Sequence, residues 1–95
     1  MTQELAKDGW RGFLNLCSSV ETSKELDELL WLFLTPEERK DIATRYLIVR
    51  ELVQEKKTQR EMAKDLGVSI AKITRGSNFL KMINKDFRRL LESIS

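Results

Sequence analysis

Residues 56–81 carry seven Lys or Arg against two Asp or Glu, in a chain of 95 residues whose formal charge is only +2. The flanks differ: residues 1–34 hold three basic and six acidic groups, 35–55 four and five, and 82–95 three and two. A local cationic excess suits a polyanion, because neutralising backbone phosphates releases condensed counterions and supplies most sequence-independent affinity. A solvated basic face is the bland reading of the same charges. Within the stretch, Gln59, Arg60, Ser69, Ile70, Ala71, Lys72 and Thr74, followed by Ser77, Asn78 and Lys81, have the residue types that reach base edges and phosphates. Arg60 is suited either to the two acceptors of a guanine edge or to a phosphate. Ile70 and Ala71 are short and apolar, fit for a thymine methyl but unable to hydrogen-bond.

Such residues read DNA only if helices hold them at the right angle. Thr58 with Glu61 has capping-box spacing and opens a helix that buries Met62 and Leu66 and stops at Gly67, a residue suited to left-handed backbone. Ser69 then caps a further helix with Ile70 and Ile73 facing inward. Helix, short turn and helix over residues 58–81 is the helix-turn-helix pattern, in which the second helix lies in the major groove. Gly76 stands inside that second helix, at a cost of about 1 kcal/mol relative to alanine, so something is expected to approach the backbone there.

The remaining elements are also helical. Trp10, Phe13, Leu14 and Cys17 recur at i, i+3, i+4 and i+7, one stripe of a first helix over residues 4–19. Leu29, Leu30, Trp31, Leu32, Phe33 and Leu34 are apolar on every side, so neither face suits water, and the run reads as a dimer core. Thr35, Pro36 and Glu38 mark a helix start, and Ile42, Tyr46, Val49 and Val53 carry that helix to about residue 55. Asn84 caps a last helix with the stripe Phe87, Leu90, Leu91 and Ile94. Six helices and no strand are predicted.

Several function classes are excluded. Histidine is absent and Cys17 is the one cysteine, so neither a zinc cluster nor an intrachain disulfide can form. Cys17 lies on an apolar stripe and the carboxylates are interspersed with basic groups, a poor basis for catalysis, and no enzyme is expected. No apolar run approaches 18 residues and no basic leader precedes one, so a cytoplasmic protein without a membrane partner is expected.

Gln59, Arg60 and Glu61, the hexapeptide from Ile73 through Thr74, Arg75, Gly76 and Ser77 to Asn78, the upstream Leu34, Thr35 and Pro36, and Thr44 with Arg45 together resemble the Trp repressor family over residues 10–92. That family is itself among the standard helix-turn-helix proteins. The resemblance implies an all-α, six-helix intertwined homodimer with a reading head in each subunit. Within one domain over residues 1–95, residues 1–55 would supply dimer-core helices, 58–81 the head, and 84–95 a helix completing the core. It implies double-stranded palindromic operator DNA as partner and L-tryptophan as corepressor, with no other cofactor and no metal, in control of tryptophan biosynthesis or uptake genes.

Carried over residue by residue, Arg45 and Arg75 would sandwich the indole ring, and Arg75 with Thr35 would hold the carboxylate. The backbone carbonyls of Leu32 and Leu34 would accept from the amino group, and Val49 and Gly76 would line the pocket. Three positions depart from the family's pattern. Phe79 stands where a small polar residue is usual near the ligand, and either crowds the pocket or turns into the core. Lys72 replaces a neutral reader and adds a phosphate or a guanine contact. Ala63 replaces a phosphate-facing lysine. A pure helical interaction module is the rival reading, and a closer one is a regulator of the same fold answering to another indole ligand or to none.

Overall fold

Helix starts in this chain are set by local side chains. Thr58 Oγ1 accepts from the Glu61 N–H at 3.1 Å while the Glu61 carboxylate accepts from the Thr58 N–H at 3.1 Å, a complete capping box. Ser69 Oγ accepts from the Lys72 N–H at 3.3 Å and Asn84 Oδ1 from the Phe87 N–H at 2.8 Å. Thr2 and Thr22 cap in the same way at 3.1 Å each, accepting from the Leu5 and Glu25 N–H groups.

The computed structural model describes Met1–Ile94, and these residues form α1 (Gln3–Ser19), α2 (Ser23–Phe33), α3 (Pro36–Gln54), α4 (Gln59–Leu66), α5 (Ile70–Leu80) and α6 (Lys85–Glu92). No strand occurs among the described residues. No helix is long and apolar enough to cross a membrane. The chain divides into two compact units, one over Met1–Pro36 and one from Glu37 onward.

The first unit contains α1 and α2, and neither helix buries a single residue. Trp10 stacks near Phe13 with ring centroids 5.7 Å apart, and Phe13 meets Phe33 edge-on at 5.3 Å. The α1 stripe therefore finds a partner on α2, as edge-to-face geometry favours. The surplus stays outside: Leu5, Trp10, Trp31, Leu32 and Phe33 are all exposed, Leu32 at 80%.

The second unit has a small core where α3, α4 and α5 meet. Ile48, Met62, Ala63 and Ile73 are buried, with Leu52, Leu66 and Val68 packed around them. Gly67 closes α4 at φ 67, in the left-handed region that glycine enters without steric cost. Across the turn, Thr74 Oγ1 donates to Gln59 Oε1 at 3.2 Å, tying α5 to the start of α4.

Two sequence expectations need correction here. Ile70 does not face inward: it is 48% exposed, and of the two isoleucines only Ile73, one turn on, joins the core. Ala63, where the resemblance would set a phosphate-facing lysine, is buried in that core at 7% exposure. On α3 the packed positions are Ile48 and Leu52, whereas Ile42 and Tyr46 of the expected stripe are exposed. A four-residue spacing fits adjacent stripes equally well, and only the neighbouring helix selects one.

Lys57 clips the α3–α4 connection, with its Nζ 2.8 Å from Asp65 and 3.4 Å from Glu51. Its hydrogen bond to Asp65 raises the Lys57 pKa above the ordinary 10.5, and the same contact holds the Asp65 carboxyl below 3.8. The Asp65 contribution is thus present above its ordinary pKa and lost as pH falls through the lowered one. The Lys57 contribution is present below 10.5 and lost as pH rises through the raised value. Asp65→Asn is expected to lower the thermal midpoint slightly at about pH 7 and to match the unsubstituted protein once the pH lies below the lowered Asp65 pKa, where the wild-type carboxyl is itself protonated. A Tm difference that persists at the acid end would rule out this ion pair as its source.

Candidate functional site

α5 carries two stripes of different character. Lys72, Arg75, Gly76, Phe79 and Ile83 follow at i, i+3, i+4, i+7 and i+11 along and just beyond the helix, and all line one cavity of about 880 Å³. Its opposite wall is α3, through Asp41, Thr44, Arg45, Ile48 and Val49, and α6 adds Phe87 and Leu91. The lining is mainly hydrocarbon, with three cations and one carboxylate around it.

The other stripe, Ile70, Ala71, Thr74 and Asn78, lines a shallower groove of about 520 Å³ on the outer side of α5, closed at its far end by Met82. Arg75 and Phe79 belong to both linings and so stand on the ridge between cavity and groove. A group that touches both sides of a helix is placed to report on one side what occupies the other.

Gly76 explains why α5 sits so near α3. A Cβ added there would lie 3.1 Å from Ile48 Cγ2 and 3.3 Å from Leu52 Cδ1, closer than ordinary van der Waals contact. The close approach expected from a glycine inside a helix is therefore made by α3. With Ile73 fully buried on the same side, the middle of α5 is held against α3, and the cavity opens beside the contact.

Among the described residues, ion pairs hold Lys57 and Arg88, whereas Arg45, Lys72 and Arg75 form none. Three cations without an internal counter-ion around one apolar cavity suit a planar anionic ligand, since guanidinium groups stack on aromatic faces and bind carboxylates through two parallel donors.

Of the residues expected to bind a ligand, the structure gathers Arg45, Val49, Arg75, Gly76 and Phe79 on this one cavity. Phe79 is 60% exposed and lines the cavity; it does not turn into the core. Leu32, Leu34 and Thr35 belong to the first unit and form its C-terminal end. Of the residues expected to meet DNA, Arg60, Ser69, Ile70, Ala71, Lys72, Thr74, Asn78 and Lys81 are exposed, and Gln59 and Ser77 are half-buried. Asp41, Ile48, Leu80 and Ile83 also line the cavity, and sequence reasoning did not place them there. The spacing of Ile83 from Lys72, Arg75 and Phe79 was a legible signal; nothing local marks Asp41. No group of three or more His, Cys, Asp or Glu fit to hold a metal occurs among the described residues.

Comparison with known proteins gives one consistent result. Residues 8–95 match the family described as Trp repressor protein. The Trp operon repressor homolog of Chlamydia caviae is 47% identical over 95 residues, covering 100% of this chain and 94% of that protein. The Chlamydia trachomatis serovar D homolog is 50% identical over 86 residues, covering 90% of this chain and 92% of its own. The Vibrio vulnificus homolog is 36% identical over 94 residues, 99% of this chain and 92% of the other.

Proposed function

Since the chain belongs to the Trp repressor protein family, we propose that it is a tryptophan-dependent transcriptional repressor that binds palindromic operator DNA as a homodimer. The observation that carries this reading is the ridge position of Arg75, which lines both the ligand-sized cavity and the outer groove of α5.

L-tryptophan enters the cavity as a corepressor, with its indole ring between the guanidinium planes of Arg45 and Arg75 and against Val49, Gly76 and Phe79. Filling the space behind α5 fixes the tilt of that helix, and the ligand acts by binding one orientation better than the others. The outward stripe Ile70, Ala71, Thr74 and Asn78 then meets base edges, while Arg60, Ser69 and Lys81 serve phosphates. Gln59 buttresses Thr74 through their hydrogen bond, and half-buried Ser77 supports the same helix. The role is regulatory and located in the cytoplasm, with a Trp operon as the target that the relatives' names support and tryptophan biosynthesis or uptake genes as the proposed content.

The homodimer is supported by the first unit, where α1 and α2 bury nothing and leave Trp31, Leu32 and Phe33 exposed. Contiguous apolar surface of this kind marks an interface. α6, also without a buried residue and with Phe87 and Leu90 exposed, is a second candidate for coverage.

A second reading is favoured by one observation, the bulky Phe79 ring on the cavity wall: a repressor of the same fold that answers to another indole ligand. Both are tested by selecting duplexes from a random pool with and without L-tryptophan, then titrating the ligand calorimetrically. Saturable binding at one site per chain, with duplexes recovered only when the ligand is present, is the expected result. Recovery that is indifferent to L-tryptophan but restored by a different indole compound favours the second reading.

A further inference from the structure

Lys72 was grouped above with residues fit for DNA, yet it lies on the cavity stripe of α5 and does not line the outer groove. From this position we infer that Lys72 is a ligand-binding residue of this chain, supplying, together with Arg75, the cationic seat for the carboxylate of the aromatic ligand. The inference rests on the tryptophan reading and deepens it.

Lys72 and Arg75 stand three residues apart on one helix face, a spacing that brings Cβ atoms within roughly 5–6 Å and makes like charges repel. Arg45 adds a third positive charge from α3. None of the three has an ion-pair partner among the described residues, and Asp41 is the one carboxylate on the lining. Arg50, Lys64 and Lys81 of the same unit likewise form no ion pair among the described residues, so what sets Arg45, Lys72 and Arg75 apart is their convergence on one mainly apolar cavity. The mutual repulsion of three cations around one cavity is relieved by an anion that enters from outside.

The outer groove offers no such relief, because Ile70, Ala71, Thr74 and Asn78 occupy it and the one cation that reaches it is Arg75. A lysine ammonium on its flexible four-carbon stem also tolerates the small displacements that distinguish one aromatic acid from another. Arg75 fixes the ring and one side of the carboxylate, and Lys72 closes the other.

The test is calorimetric titration without DNA, so that any phosphate contact of Lys72 is silent. L-tryptophan and indole-3-propionate, which both carry the carboxylate, and tryptamine, which lacks it, are titrated into the full chain and its Lys72→Gln and Lys72→Arg variants. The expected result is a Kd about 10-fold weaker for both carboxylates in Lys72→Gln, the size of one lost charge-assisted contact. Tryptamine, itself a cation, should lose no affinity in Lys72→Gln, and Lys72→Arg should recover at least half of the logarithmic loss for the carboxylates. A Lys72→Gln variant that binds both carboxylates within two-fold of the unsubstituted protein overturns the inference and leaves the tryptophan reading intact. An unsubstituted chain that gives no heat with L-tryptophan overturns the tryptophan reading and this inference with it.

Discussion

Arg75→Ala is expected to abolish the response to L-tryptophan while leaving the fold unchanged. The side chain is exposed and forms no ion pair, so its removal breaks no internal contact that α5 depends on. Its neighbours Ile73 and Gly76, which hold the helix on α3, stay as they are. What is lost is one guanidinium face against the indole ring and the parallel donors to the carboxylate, together worth about 3 kcal/mol, or roughly a hundred-fold in Kd. Arg75→Lys retains the charge without the planar fork and should fall between the two. The readouts are calorimetric Kd and the ligand dependence of DNA binding, with circular dichroism as the fold control. Full tryptophan sensitivity in Arg75→Ala would refute the placement of the ligand in this cavity.

Ile73→Ala is expected to have the largest effect on stability. Ile73 is the one fully buried side chain among the described residues, at 0% exposure. It is surrounded by Ile48, Met62 and Ala63, which leave little freedom to collapse into the space vacated. Large-to-small substitutions at such sites cost about 2–5 kcal/mol, transfer and residual cavity together. Against a usual total of about 5–15 kcal/mol, that is enough to unfold much of a small helical unit at physiological temperature. Urea denaturation should show a clear fall in midpoint, and α5 should lose its ligand response because its anchor is gone. Ile70→Ala is the internal comparison: with that side chain 48% exposed, stability should change by less than about 0.5 kcal/mol. Equal destabilisation by the two substitutions would contradict the inward and outward assignment of these isoleucines.

Much of the secondary structure was legible because its signals are local. A capping side chain and the N–H it satisfies lie three residues apart, so Thr58, Ser69 and Asn84 announce helix starts without reference to the rest of the chain. Gly67 announces a stop for the same reason, since its left-handed backbone is a property of one residue. Arg45, Arg75 and Gly76 were identified through family resemblance, and the cavity gathers them. The choice between Ile70 and Ile73 was not legible: both are β-branched, and both suit a helix that must bury one side.

The six helices, the caps at Thr58, Ser69 and Asn84, the cationic stretch and the family are readable from the chain alone, because each depends on contacts or patterns within a few turns. The tertiary structure decided which stripe of each helix is inside. It packed Ile48 where the periodicity favoured its neighbours, turned Ile70 outward, sank Ala63 into the core, and set Lys72 on the cavity wall. The physical reason is that a 3.6-residue period defines faces only relative to one another, and the partner helix, here α3 pressed against Gly76, sets their absolute direction.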